Sequence, residues 1–176
     1  MSNQTLTDFR PYIHDVPDFP SPGILFRDVT PLLATPDAFR AAVEAMAAPF
    51  RAAPPSKILG IEARGFLFGA ALARELHVGI VPARKPGKLP RKSERMSYGL
   101  EYGKDSLEVH ADAFAPGERV LVVDDVLATG GTSKAAADLA EKLGARVAGI
   151  SVFIELSALG GRAALAGRTV HSVLVL

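Results

Sequence analysis

Between Val120 and Thr132 the order of residues leaves this chain little freedom of fold. Val120-Leu121-Val122-Val123 is an apolar run rich in β-branched residues, with the turn former Pro116-Gly117 just upstream. A short strand buried on both faces of a parallel sheet reads this way. Asp124 and Asp125 stand at its carboxyl end. Val126, Leu127 and the small, hydroxylated Ala128-Thr129-Gly130-Gly131-Thr132 follow, and Thr132 or Ser133 is expected to cap a helix over residues 134–143 that Gly144 closes. Strand, acidic pair, Gly/Thr turn and helix N-terminus together aim backbone N–H groups and a helix dipole at an anion on the sheet's edge. Carboxylates beside a phosphate would repel it, so the two aspartates are expected to accept hydrogen bonds from sugar hydroxyls or to hold a metal through water. The implied ligand is a phosphorylated sugar. Each piece alone also occurs as a helix cap with a solvated neighbour, and it is the whole order that carries meaning. Neither the Gly-Lys-Ser/Thr of a P-loop nor the dinucleotide Gly-x-Gly-x-x-Gly pattern is present.

A second unit of the same kind lies upstream. Lys57-Ile58-Leu59-Gly60-Ile61 is a strand candidate, Glu62-Ala63-Arg64-Gly65 its turn, and Phe66 to Leu76 an apolar helix. Arg64 at a helix N-terminus would bring a guanidinium to free N–H groups and meet another anion, or else pair with Glu62 and stay partly solvated. Further strands are expected at 78–82, 147–154 and 169–176, an edge strand at 107–110, and helices over 37–51 and 156–165. Strands alternating with helices argue for a mostly parallel α/β sheet. Ahead of them residues 2–14 carry weak helical periodicity, and Pro17, Pro20, Pro22 and Gly23 break any regular element. Phe26, just beyond that breaker, is either a core aromatic or the stacking face for a flat ring.

From Arg84 to Arg95 six basic residues face the single acid Glu94, in a chain whose net charge is only +1. Such a run, without apolar periodicity, reads as a mobile basic loop that meets an anion locally, and long loops of this kind are often lids. A nucleic-acid surface is the weaker reading, because only Tyr98 and Tyr102 lie near enough to stack bases and the overall charge gives no bulk attraction. With no cysteine in the chain, disulfides, thiolate metal sites and a cysteine nucleophile are excluded. His77, His110 and His171 lack metal-ligand spacing, so no protein-borne metal site is expected. The polar stretch Met1 to Arg10 lacks a signal core and no apolar run reaches spanning length, so neither export nor a membrane partner is expected. The 176 residues, 48% of them apolar, suit one domain.

Five separated stretches resemble, in order and spacing, the adenine-using members of the type I phosphoribosyltransferase family. They are Pro22-Gly23-Ile24-Leu25-Phe26-Arg27-Asp28, Glu62 to Gly69, Arg84-Lys85-Pro86-Gly87-Lys88-Leu89-Pro90, Leu100-Glu101-Tyr102-Gly103, and Asp124-Asp125 with Ala128 to Thr132. The resemblance implies the α/β fold of that family: a mostly parallel twisted sheet flanked by helices in a single domain over 1–176, with a small N-terminal hood over 1–35 and a flexible basic lid over 84–100. It also implies transfer of the 5-phosphoribosyl group of 5-phosphoribosyl 1-diphosphate to adenine, giving AMP and diphosphate, with Mg2+ bound mainly through the sugar diphosphate. The molecule would be a cytoplasmic homodimer. Position by position, Asp124 and Asp125 would hold the ribose hydroxyls, and Ala128, Thr129, Gly130, Gly131 and Thr132 would cradle the 5′-phosphate. Arg64 and Lys88 would meet the diphosphate, with Arg84 contributed by either subunit. Phe26 would stack on adenine against Val126 while the backbone of Leu25 and Arg27 reads the ring edge. Glu101 falls at the family's proton-transfer position, with Tyr102 beside it among the substrate-binding residues. Residues 91–95 are more charged than the family's pattern. Two rivals are the same reaction on a 6-oxopurine, and a sensor of the sugar diphosphate that lacks turnover.

Overall fold

A computed structural model describes residues 8–100 and 103–176. The chain divides into two compact units, Met1–Ala45 and Met46–Leu176, with the division falling later than the hood boundary expected at residue 35. In the larger unit, strands β3 (Lys57–Ile61), β4 (Gly79–Ala83), β7 (Arg119–Leu127), β8 (Arg146–Glu155) and β9 (Val170–Val175) form one sheet in the order β4-β3-β7-β8-β9, every neighbouring pair parallel. From β3 the chain moves outward to β4, and from β7 it moves the other way to β8 and β9. The order therefore reverses between β3 and β7, and the crevice beyond their carboxyl ends is where open α/β sheets bind ligands. Helices α3 (Gly65–Leu76) and α4 (Gly131–Lys142) leave from those two ends.

The strands form where apolar residues are continuous. Val120, Leu121, Val122 and Val123 are fully buried, as are Ile58, Leu59, Ile150, Val152, Phe153 and Ile154, so the centre of the sheet is covered on both faces. Phe68 of α3 stacks on Phe153 with ring centroids 5.6 Å apart. On the other face Leu139 and Ala140 of α4 join Leu59, Val122 and Val152. The strand at Lys57–Ile61 has its expected bounds, whereas β7 continues through both aspartates to Leu127 instead of ending before them. Its ladder with β8 runs on, Asp124 opposite Val152 and Val126 opposite Ile154, and that pairing outweighs the low strand preference of aspartate.

Helix starts and stops also differ in detail. The cap of α4 is Gly130, in the left-handed region at φ 85°, and not Thr132 or Ser133. Only glycine fits there, since a Cβ would lie 2.5 Å from the carbonyl oxygen of Gly161. The helix expected over 37–51 is α2 (Pro36–Ala47) followed by a 3-10 turn at Ala48–Phe50. The one expected over 156–165 is a 3-10 turn at Ser157–Leu159 and the single turn α5 (Gly161–Ala164), separated by Gly160 at φ 65°.

The largest departure concerns the basic segment. Residues 84–92 carry no helix or strand, but Ser93–Leu100 is strand β5, paired antiparallel with β6 (Gly103–His110) from Ser93 opposite His110 to Leu100 opposite Gly103. The lid expected over 84–100 is thus half hairpin. Its charges are matched by acids further along the chain, as Arg95 Nη2 lies 2.5 Å from Glu108 Oε1, while Leu107 and Val109 are buried in the core. Reciprocal backbone bonds between Arg84 and Glu108, 2.9 and 2.8 Å, fasten the hairpin to the end of β4.

In the smaller unit β1 (His14–Pro17) pairs antiparallel with β2 (Leu25–Asp28), so the proline-rich breaker connects two strands rather than separating coil from coil. Regular structure within residues 8–14 is a 3-10 turn at Arg10–Tyr12, followed by the first residue of β1, and the remainder of the weakly periodic segment lies outside the described residues. The short helix α1 (Thr30–Ala34) follows, its Leu32 fully buried.

Candidate active site

At the crevice between β3 and β7 lies a cavity of about 370 Å³. The turn after β3 contributes Glu62, Ala63 and Arg64 to it, and β7 with its turn contributes Asp124, Asp125, Val126, Ala128 and Thr132. The two turns are joined directly, because the Arg64 guanidinium donates from Nε to Asp125 Oδ2. Arg64 lines the cavity with its guanidinium on Asp125 of the neighbouring strand. Their close approach depends on Gly65. A Cβ there would stand 2.9 Å from both Asp124 Oδ1 and the Val123 carbonyl oxygen.

Both aspartates are enclosed, at 9% and 4% exposure, yet both face the cavity. Asp124 Oδ1 accepts the Asp125 backbone N–H at 2.9 Å. Burial, and then the charge of Asp125, push the Asp124 carboxyl well above the ordinary carboxylate range. At Glu62 the balance is reversed. Burial there also works to raise the pKa, but Lys88 Nζ, the Lys85 amide at 2.9 Å and Arg84 Nε at 3.3 Å outweigh it and hold the carboxyl below its usual value.

The remaining expected residues fall into four groups. Thr129 and Gly130 lie in the turn between β7 and α4, and Gly131 is the first of the twelve residues of α4. Lys88 and Arg84 do not line the cavity. They sit behind it on Glu62, and Arg84 Nη1 also donates to the Lys88 carbonyl at 3.1 Å. Leu25, Phe26 and Arg27 belong to β2 in the smaller unit. There Phe26 is half-buried and meets Phe19 edge-on with centroids 5.1 Å apart, Leu25 is exposed, and Arg27 pairs with Asp15. Glu101 and Tyr102 lie outside the described residues.

Three cavity residues escape sequence reasoning. In the sequence Lys85 stands out only as part of its motif, Tyr98 only as a sparse aromatic beside the basic run, and Asp105 carries no local signal at all. They form one cluster. Lys85 Nζ donates to Asp105 Oδ2, the Tyr98 hydroxyl donates to the same oxygen at 3.0 Å, and Thr132 Oγ1 donates to the Tyr98 hydroxyl at 3.3 Å. The hint available was the pairing of Tyr98 with Asp105 across the hairpin, which needs β5 to be recognised as a strand. Among the described residues no group of three or more acidic or histidine side chains is placed to hold a metal ion.

A cavity with backbone donors and a helix N-terminus at one turn, a guanidinium at the other and carboxylates between them suits a ligand that is anionic at both ends and hydroxylated in the middle. Comparison with known proteins agrees. The model of the phosphoribosyl transferase domain matches residues 28–165. The adenine phosphoribosyltransferase of Carboxydothermus hydrogenoformans is 55% identical over 166 residues, covering 94% of this chain and 98% of its own. The crystal structure of the adenine phosphoribosyltransferase of Rhodothermus marinus superposes with a TM-score of 0.92 at 50% identity, covering 96% of each chain. The Saccharomyces cerevisiae enzyme, solved with an imino-altritol bisphosphate and adenine, gives 0.88 at 39% identity, covering 94% of this chain and 96% of that one. With a family model spanning most of its length and relatives this similar over nearly their whole length, the chain belongs to the phosphoribosyl transferase domain family, among the adenine phosphoribosyltransferases.

Proposed function

We propose that this chain transfers the 5-phosphoribosyl group of 5-phosphoribosyl 1-diphosphate to adenine, releasing diphosphate and forming AMP. The observation that carries the reading is the convergence of the two strand ends on one cavity, with Arg64 at one side and the Ala128–Thr132 turn at the other. In this arrangement the turn and the α4 N-terminus take the 5′-phosphate, and Asp124 and Asp125 take the ribose hydroxyls. Arg64, with Lys88 and Arg84 drawn off Glu62, takes the diphosphate. Leu25, Phe26 and Arg27 supply an aromatic face and backbone groups for the base. The choice of adenine is supported by the names of the relatives and by the adenine bound to the yeast enzyme.

Departure of diphosphate from the anomeric carbon leaves positive charge on the ribose and builds negative charge on the leaving group. Catalysis then rests on cations fixed beside the leaving group in a site closed to water, and no nucleophilic side chain is required. Arg64 is already held toward the cavity by Asp125, so little reorientation is needed. Glu101 manages the proton of the base nitrogen, a role worth about 10²–10⁴ in rate for a typical acid or base. Mg2+ would be carried mainly by the sugar diphosphate in the cavity that Asp124 and Asp125 face, and that ion would offset the charge of the diphosphate. Residues 84–100 act as the lid over the site. A homodimer working in the cytoplasm completes the reading. No helix among the described residues is long and apolar enough to cross a membrane.

Product formation from adenine, hypoxanthine and guanine, each supplied with the sugar diphosphate, tests the proposal. AMP from adenine alone is expected, since a site built for an amino donor leaves buried groups unpaired with a carbonyl acceptor. Turnover of only a 6-oxopurine would overturn the base assignment, and tight sugar-diphosphate binding without any turnover would favour a sensor.

A further inference from the structure

Lys85 stands between the two turns. Its amide N–H is bonded to Glu62 on the β3 side, while its ammonium lies on the β7 side, where the Tyr98 hydroxyl reaches Thr132. With Arg64 it is one of only two cationic side chains that line the cavity among the described residues. Yet its charge is already taken. Asp105, on β6 and directly across the hairpin from Tyr98, accepts from the ammonium, from the Tyr98 hydroxyl and, through Oδ1, from the Ser106 N–H at 2.7 Å. Asp105 also faces the cavity itself, with 26% of its side chain exposed. Burial opposes the charge on both partners, but each holds the other ionised: Lys85 is raised above and Asp105 lowered below its ordinary value.

A polyanionic substrate is attracted by every cation that lines the cavity, so an internal carboxylate on one of them competes with it. We propose that Asp105 masks Lys85: in the empty site its carboxylate occupies the direction of the ammonium that a phosphoryl oxygen takes on binding. The β5–β6 hairpin then lowers the affinity of the site for the sugar diphosphate and equally for AMP. Products held by fewer free cations leave the site sooner, and product release is a step that limits turnover in many enzymes. This inference rests on the reading of the cavity given above, and its test separates the two.

Calorimetric titration of the full-length protein with 5-phosphoribosyl 1-diphosphate and Mg2+, without base, measures the effect. Asp105→Asn and Asp105→Ala are each expected to bind about fivefold tighter than wild type, the size of a partly exposed ion pair. AMP is expected to tighten likewise. In a Lys85→Met background the Asp105→Asn gain should disappear. Unchanged or weaker binding by both Asp105 variants would show that the carboxylate aims Lys85 rather than masking it, and would overturn the proposal. A gain that survives in Lys85→Met would overturn it too, since direct repulsion of the polyanion by Asp105 would then explain it. Failure of wild type to bind the sugar diphosphate at all would remove the cavity assignment and the masking with it.

Discussion

Glu62 and Asp124 stand at the carboxyl ends of neighbouring strands and open on the same cavity, yet their acidities move in opposite directions. Both are penalised by burial. Glu62 belongs to a turn supplied with cations, where Lys88, Arg84 and the Lys85 amide surround it and favour the ionised form. At Asp124 the neighbouring carboxylate of Asp125 adds to burial and outweighs the charge of Arg64, whose guanidinium is bonded to Asp125. The β3 turn is thus a store of positive charge held in readiness by an internal anion. The β7 turn holds a carboxylate pair in which burial and the neighbouring charge of Asp125 oppose ionisation of Asp124. That division suits a reaction in which charge develops on one end of the substrate, the leaving diphosphate, while the 5′-phosphate at the other end is a permanent handle.

Arg64 links the two sides, and removing it breaks the comparison most severely. Arg64→Gln takes away the cation proposed to meet the leaving diphosphate and leaves Asp125, with a side chain only 6% exposed, without its ion pair. A fall of about 10²–10³ in kcat/KM is expected from the lost electrostatic stabilisation. Steady-state kinetics with adenine and the sugar diphosphate would check it, and a variant within a few-fold of wild type would show that the β3 turn does not face the diphosphate.

How far this division can be read from the sequence differs between the two turns. The β3 unit is legible throughout, because Lys57–Ile61 lies between a Pro54-Pro55 break and a turn with Arg64 just ahead of a glycine. At β7 the acidic pair signals a strand end, but the ladder to β8 carries the strand three residues past Asp124, a tertiary effect that local preference does not contain. The cap at Gly130 is hidden for a similar reason, since the crowding that selects glycine comes from Gly161, far along the chain. The hairpin leaves the weakest local signal. The basic segment leads into its first strand, and the acids that pair with Lys85 and Arg95, namely Asp105 and Glu108, come from the second. A window over residues 84–95 shows only Glu94 among the cations, and so the cluster of Lys85, Tyr98 and Asp105 stays out of view.

The opposite pKa shifts give the comparison a pH signature. Because the folded pKa of Asp124 is raised, its contribution to stability is complete below its unfolded value and is lost as pH climbs through the folded one. Asp124→Asn keeps an oxygen for the Asp125 N–H and never ionises. Its melting temperature should therefore match wild type in acid and exceed it increasingly as pH rises, by about 2–4 °C for each kcal/mol of repulsion removed. Differential scanning calorimetry from pH 4 to pH 8 would measure this. A gap that is constant with pH would mean that Asp124 stays ionised with a partner.

Glu62→Gln should act with the opposite sign and the smallest amplitude. The folded pKa of Glu62 is lowered, so its stabilising contribution is present above the unfolded value, near 4.5, and disappears as pH falls through the folded value. Its partners Lys88 and Arg84 are 48% and 33% exposed, and solvent screening limits the loss to about 1 kcal/mol at pH 7. In the same calorimetric series the variant should melt a few degrees below wild type at neutral pH and converge with it well below pH 4.5. A second consequence follows from the geometry rather than from stability. Lys88 and Arg84, no longer held by a carboxylate, should bind diphosphate at least as tightly as before, so a drop in melting temperature accompanied by weaker diphosphate binding would show Glu62 to be aiming those cations instead of storing them.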